Sequence, residues 1–316
     1  MPSPSPSLEE LLTPAERHLP LLGREAHIWC LAPDAVDEPA LVKACVALLS
    51  PDEQGRYARF RVAVARHEYL VAHALVRLVL SHYVDVDPRA WVFAPSEHGR
   101  PEIVAPPEGS PLRFNLSHTD GLIACAVALG TPIGVDVEHV GRAGDLVRIA
   151  ERFFSPLEVA ALHALETTAQ HRRFLAFWTL KESYVKARGL GLSLPLDDFA
   201  FLLDDERAIG VRFGPRMADD PRMWRFALLA PTPAHVLALT LRNSAECEPL
   251  AIRMHGLAAL PVPPRYSQVW HRFMPRVAGP LPSLTGGIRA TLSEEQPVRA
   301  LLSEPHRHGN GEHRKV

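Results

Sequence analysis

The spacing of apolar residues changes several times along this 316-residue chain, and each change marks a predicted element. His27–Ala32 is a short apolar run stopped by Pro33 and Asp34, which predicts a strand, and Pro39–Leu49 predicts a short helix. Ser50-Pro51-Asp52-Glu53 supplies an N-cap, a proline at the first helical position and an acid at N3, so another helix starts there. His67–Tyr83 places Leu70, Ala74 and Leu78 in one row and Val71, Leu75 and Val79 in the next, the pattern of a core helix. Trp91–Ala94 predicts a strand, and the turn SEHGRP at 96–101 bends at Gly99 with Arg100 pointing outward. Phe114–His118 and Leu122–Leu129 predict a hairpin around Thr119-Asp120-Gly121. Ile133–Val140 alternates as a strand, Ser155-Pro156-Leu157-Glu158 repeats the helix-start signature, and a long helix runs from about Ala169 to Gly189. A loop over 190–199 then leads to strands at Phe201–Leu203, Val211–Phe213, Trp224–Leu229 and Val236–Leu241.

Two of these elements carry unusual charge. In the strand at 133–140, alternation puts Val135 and Val137 on one face and Asp136 and Glu138 on the other, roughly 7 Å apart. Two carboxylates side by side repel. Either that face is solvated or a divalent cation such as Mg²⁺, which takes oxygen ligands, reconciles them. In the long helix, Phe174, Phe177, Trp178 and Val185 form an apolar stripe, while Glu182 and Lys186 sit four apart on one side. They read either as a surface ion pair or as part of a site. Lys181 falls at the edge of the stripe, where its ammonium is expected to snorkel to water. Arg56, Arg59, Arg61 and Arg66 make a basic segment that suits a solvated face or a phosphate. His118, at the lip of the hairpin, is either a turn residue or a functional one.

Composition narrows the class. With 47% hydrophobic and 22% charged residues the chain is an ordinary globular protein, and a net charge of −2 excludes a bulk nucleic-acid or anionic-membrane binder. Cys30, Cys45, Cys125 and Cys247 lack C-x-x-C spacing and read as free thiols of a reducing compartment. No basic and apolar leader opens the sequence, and no apolar run approaches the ~18 residues that span a bilayer, so the expected location is the cytoplasm. The 30 prolines gather towards the ends. Residues 1–22 and 261–316 are therefore expected to be a disordered arm and tail, the tail's His306, His308 and His313 belonging to a solvated end rather than a metal site.

Taken together, Gly99-Arg100-Pro101, FNLSH at 114–118, PIGVDVE at 132–138, RFFS at 152–155, FWTLKESYVKARG at 177–189 and GLSLPLDDF at 191–199 resemble, in order and approximate spacing, the double-length 4′-phosphopantetheinyl transferases. The resemblance covers roughly residues 25–245. It implies an α+β fold of two similar α/β halves related by a pseudo-twofold axis, each a short sheet on a long helix. The halves would span 23–130 and 131–260, with the active site in the cleft between them and the protein a monomer. It further implies Mg²⁺-dependent transfer of the phosphopantetheine arm of coenzyme A to a serine of an acyl or peptidyl carrier protein, releasing adenosine 3′,5′-bisphosphate. On the same ground Asp136, Glu138 and Glu182 would be the metal carboxylates, with Glu182 also the base and Lys186 stabilising the pyrophosphate. Arg100, Ser117 and His118 would grip phosphates, and Arg56 would lie near the 3′-phosphate. Glu53 departs from the pattern by standing where a second basic residue is expected. A coenzyme A or carrier-binding module without turnover, and an unrelated metal-dependent phosphate-ester hydrolase, are the alternatives.

Overall fold

A computed structural model describes Leu22 and residues 25–109, 111–205, 208–242 and 251–257. The proline-rich tail from 261, the arm before Leu22 and Cys247 lie outside the described residues.

The predicted elements form around two sheets. Strand β1 (Glu25–Leu31) is followed by helices α1 (Pro39–Leu48), α2 (Pro51–Arg59) and α3 (Ala63–Tyr83). The β2–β3 ribbon (Val92–Pro95, Pro101–Ala105) precedes a hairpin, β4 (Leu112–Thr119) and β5 (Leu122–Leu129), closed by a two-residue Asp120-Gly121 turn in which Gly121 takes φ 75°. Next come β6 (Ile133–His139), α4 (Leu146–Phe153), α5 (Pro156–His163) and α6 (Thr167–Arg188). The ribbon β7–β8 (Phe199–Asp205, Ala208–Phe213) and strands β9 (Trp224–Thr232), β10 (His235–Arg242) and β11 (Ala251–Leu257) complete the order. Both capping boxes form, Ser50 with Glu53 and Ser155 with Glu158, and Gly189 ends α6 in the left-handed conformation. Helix α4 and strands β3 and β11 were not foreseen.

One sheet has the order β11-β1-β5-β4 and the other β6-β10-β9. Strand alternation distributes the first sheet between two cores. Ala26, Ile28 and Cys30 of β1, with Leu122, Ala124, Ala126 and Ala128 of β5, face Ile133, Val135, Val137, Leu237 and Leu239 of the second sheet. Trp29, Leu31, Ile123, Cys125 and Val127 point the other way, onto Leu70, Val71, Leu75, Leu78 and Val79 of α3. Cys30, Cys45 and Cys125 are buried free thiols, as expected. β11 pairs in parallel with β1, so the chain returns to the first sheet after completing the second.

The sheets meet along β4 and β6 through side chains. Asn115 Oδ1, Ser117 Oγ and Thr119 Oγ1 accept the N–H groups of Val135 (2.8 Å), Val137 (3.3 Å) and His139 (3.2 Å). Every second residue of β4 thus replaces a ladder carbonyl. Helix α6 lies on the other face of β6. Gly134 permits the close approach: a Cβ there would stand 2.0 Å from the Ser183 carbonyl and 2.5 Å from the Ala187 nitrogen. Gly134, Asp136 and Glu138 share that face, so the contact that brings the helix close also faces Glu182 and Lys186 toward the strand's acids.

Candidate active site

Asp136 is the centre of this contact. Its carboxylate is buried, and Oδ1 receives both the Lys186 ammonium at 2.7 Å and the Ser117 hydroxyl at 3.0 Å. Lys186 also donates to Ser117 Oγ at 3.0 Å. Lys186 therefore pairs across to the strand rather than along its own helix with Glu182, as the i,i+4 reading offered. Asp136 Oδ2 is buried with no hydrogen-bond partner.

The two other acids gather around it. Glu138 is ion-paired with Arg142, yet burial, followed by the charge of Asp136, pushes its carboxyl up to about 7. Burial and then Asp136 push Glu182 up to about 8, with Glu138 adding to the rise and Lys186 opposing it. Both shifts follow from packing anions into one partly dry space.

The phosphate-grip candidates divide. Ser117 belongs to the cluster. His118, the next residue of β4, has a ring that reaches solvent but is crowded, and desolvation, then the Lys186 charge, lower its pKa. Arg100 does not point outward: it donates to the Lys186 and Ala187 carbonyls at 3.1 and 3.3 Å and pairs with Glu102 at 2.8 Å. The reason is physical. The last carbonyls of α6 lack i+4 helical partners, that of Lys186 taking only the Gly189 N–H at 3.2 Å, and they carry the negative end of its dipole, which attracts the guanidinium. Arg56 is exposed on α2, and no hydrogen bond or ion pair ties it to the cluster. Glu53 is turned inward, where it caps its own helix and receives the buried Arg77 at 2.7 Å.

Arg142 was missed in the sequence. It reaches back to Glu138 and lies over the Trp178 ring, 4.9 Å from its centroid. The available signal was its position four residues after an acid, which means little beyond the end of a strand. Lys181 is corrected too: it is 1% exposed, and its ammonium is bound to Glu158.

Among the described residues no group of three or more His, Cys, Asp or Glu is placed to hold a metal ion, and Lys186 and Arg142 are paired with two of the acids. The donor chemistry nevertheless fits a hard divalent cation. Burial and then the charge of Asp136 raise the pKa values of Glu138 and Glu182, and Asp136 Oδ2 is buried without a partner. No described helix is long and apolar enough to cross a membrane.

Residues 132–240 match the model of the 4′-phosphopantetheinyl transferase superfamily, and residues 38–129 match that of the 4′-phosphopantetheinyl transferase N-terminal domain. The 4′-phosphopantetheinyl transferase HetI of Nostoc is 33% identical over 187 residues, which cover 59% of this chain and 78% of HetI. A 4′-phosphopantetheinyl transferase of Bacillus subtilis is 36% identical over 166 residues, covering 52% of this chain and 71% of its own. Sfp of Bacillus subtilis is 33% identical with the same two coverages, 52% and 71%.

Proposed function

This chain belongs to the 4′-phosphopantetheinyl transferase superfamily and is a transferase, and from that premise we propose how its residues do the work. The substrate is coenzyme A and the acceptor is a serine of an acyl or peptidyl carrier protein. The serine oxygen forms a bond to the phosphorus that bears the pantetheine arm, the bond to the other phosphate breaks, and adenosine 3′,5′-bisphosphate leaves. The protein acts as a monomer in the cytoplasm, its halves, 23–130 and 131–260, related by a pseudo-twofold axis around the cleft.

The observation that supports this reading most is that Ser117 of β4 and Lys186 of α6 meet on Oδ1 of Asp136 and leave its Oδ2 buried without a partner, while Glu138 of β6 and Glu182 of α6 lie near enough for the Asp136 charge to raise their pKa values. Asp136, Glu138 and Glu182 would hold Mg²⁺, which when bound supplies positive charge to the phosphate oxygens. Lys186 lies where its ammonium can leave Asp136 for a pyrophosphate oxygen and stay with it as negative charge builds on the leaving group. Glu182, in its ionised form, receives the serine proton, directly or through a water, its proton affinity raised by burial and by Asp136. Ser117 and His118 border the phosphates from β4. Arg100, released from the α6 carbonyls or reaching past them, grips a phosphate from the other side.

The test is a mass measurement on an apo carrier domain incubated with coenzyme A and the enzyme. A gain of one phosphopantetheine that depends on Mg²⁺ is expected. Coenzyme A binding without that gain would point to a non-catalytic module, and carrier-independent cleavage of coenzyme A would point to a hydrolase. Either result overturns the proposal.

A further inference from the structure

Lys181 stands beside Glu182 in the sequence, and nothing in the site described above uses it. Its surroundings are unusual for a lysine. It is 1% exposed, and its three N–H groups are all engaged: Glu158 Oε2 at 2.8 Å, the Leu196 carbonyl at 2.7 Å and the Phe199 carbonyl at 2.6 Å. The Phe199 ring covers it at 4.0 Å. Glu158 is as fully engaged, with Oε2 accepting the Ser155 N–H and hydroxyl at 3.1 and 2.7 Å and Oε1 accepting the Phe201 N–H at 3.0 Å. Neither side chain is exposed to a substrate.

We infer that Lys181 and Glu158 are positioning residues for the transfer reaction: together they lock the rotation of α6 about its axis, and so the direction in which Glu182 and Lys186 face. The pair joins four pieces of chain. Glu158 holds the start of α5 and the strand β7, and Lys181 holds the turn at Leu196 and the first residue of β7, all against one point on α6. A side chain on the next residue lies about 100° further round the helix. Turning α6 enough to break any of the three ammonium bonds therefore swings the Glu182 carboxylate along the face that meets β6. On the opposite flank, Ser183 Oγ bonds Thr240 Oγ1 of β10 at 2.7 Å, a second tie that fixes the same rotation. Because the charges are paired in a dry space, the lock is intolerant of losing one partner.

The inference rests on reading Glu182 as a metal carboxylate and base, so the experiment separates the two. Lys181→Met, Glu158→Gln and the double variant are made in the full chain, and folding is checked by circular dichroism. For each, carrier modification is timed by mass spectrometry, Mg²⁺ alone is titrated by calorimetry, and a pH–rate profile is recorded. Both single variants are expected to lose at least tenfold in kcat, with KM for coenzyme A within twofold. Mg²⁺ affinity should weaken several-fold and the pH profile should keep its shape. The double variant should lose little more than the worse single one, since groups that act as a unit are not additive. Near-normal kcat and Mg²⁺ affinity in folded variants would overturn the inference and leave the pair as a stabilising contact only. A lost limb in the pH profile, restored with added alkylamine, would overturn it by making Lys181 a proton-transfer group. If Lys181→Met does not fold, Glu158→Gln, which keeps the shape and most of the hydrogen bonds, decides the matter by the same measures. A wild-type chain that neither binds Mg²⁺ nor modifies a carrier would instead remove the reading of Glu182, and this inference with it.

Discussion

Gly134→Ala is the most direct way to ask whether the distance between α6 and β6 sets activity. The new Cβ would lie 2.0 Å from the Ser183 carbonyl oxygen, 2.5 Å from the Ala187 nitrogen and 3.0 Å from its Cα, all backbone atoms that cannot swing aside. Ordinary contact needs ~3.5 Å, so the helix has to move back by roughly 1.5 Å at its closest point. Overpacking of this kind costs about 1–3 kcal/mol, measurable as a drop in the urea midpoint. The catalytic cost should be larger, because Glu182 and Lys186 ride on the displaced helix and a 1 Å misplacement costs on the order of 10²-fold. The assay is the rate of carrier modification at saturating coenzyme A and Mg²⁺, on protein shown to be folded. Gly55→Ala is the control: nothing lies within 4 Å of its added Cβ, and it sits within α2. It should leave activity unchanged and stabilise by about 0.4–1 kcal/mol. A Gly134→Ala enzyme with kcat within twofold of wild type, or stability within about 0.5 kcal/mol, would refute the claim that close packing positions the site.

Three further outcomes are expected. Asp136→Ala and Glu182→Gln should each lose most transfer activity and their combination much less than the product; the apo melt should hold or rise in Glu182→Gln, where one of the crowded acids is gone, and fall in Asp136→Ala, which strips Lys186 and Ser117 of their acceptor; near-normal turnover in Glu182→Gln at saturating Mg²⁺ would end its assignment. Arg100→Ala should raise KM for coenzyme A more than it lowers kcat, and should also cost ~0.3–1 kcal/mol of stability through the uncapped end of α6, so an unchanged melting temperature would contradict the capping contact. The hydrogen bonds from Arg253 hold the Glu25 carboxyl down at about 2, below its ordinary 4.5. Its contribution is therefore complete above pH 4.5 and vanishes as pH falls through about 2, a partly screened loss of about 1 kcal/mol that Arg253→Ala should abolish in melts taken across that range.

What was legible in the sequence was what local chemistry dictates. The capping boxes at Ser50 and Ser155, the Asp120-Gly121 turn, the two rows of α3 and the glycine stop of α6 all formed where short-range rules placed them. The alternation at 133–140 put Asp136 and Glu138 on one face, with Val135 and Val137 on the other, as read. The failures are long-range. β11 is built on a partner more than two hundred residues upstream, and no pattern in its own seven residues names β1. Lys181 looked like a snorkelling edge residue because its partner Glu158 lies 23 positions back and had been read as a cap alone. Arg100 was misread because helix-end carbonyls attract a guanidinium only once the fold brings them together. Glu53 looked like a defect in a phosphate clamp until Arg77, 24 residues away, supplied its reason.

The hydroxyl of Ser117 has a consequence for how ligands enter. It gives its one proton to Asp136 and fills its two lone pairs with the Lys186 ammonium and the Val137 N–H, so its hydrogen-bonding capacity is exhausted. An arriving phosphate oxygen can take that proton only by displacing Asp136, and can draw Lys186 away only by freeing a lone pair on the same oxygen. At the Ser117 hydroxyl, bonding to a ligand is therefore an exchange rather than an addition. A phosphate oxygen that takes the Ser117 proton releases an oxygen of the strand acid, so at this hydroxyl the arrival of one charged group and the liberation of another are the same event.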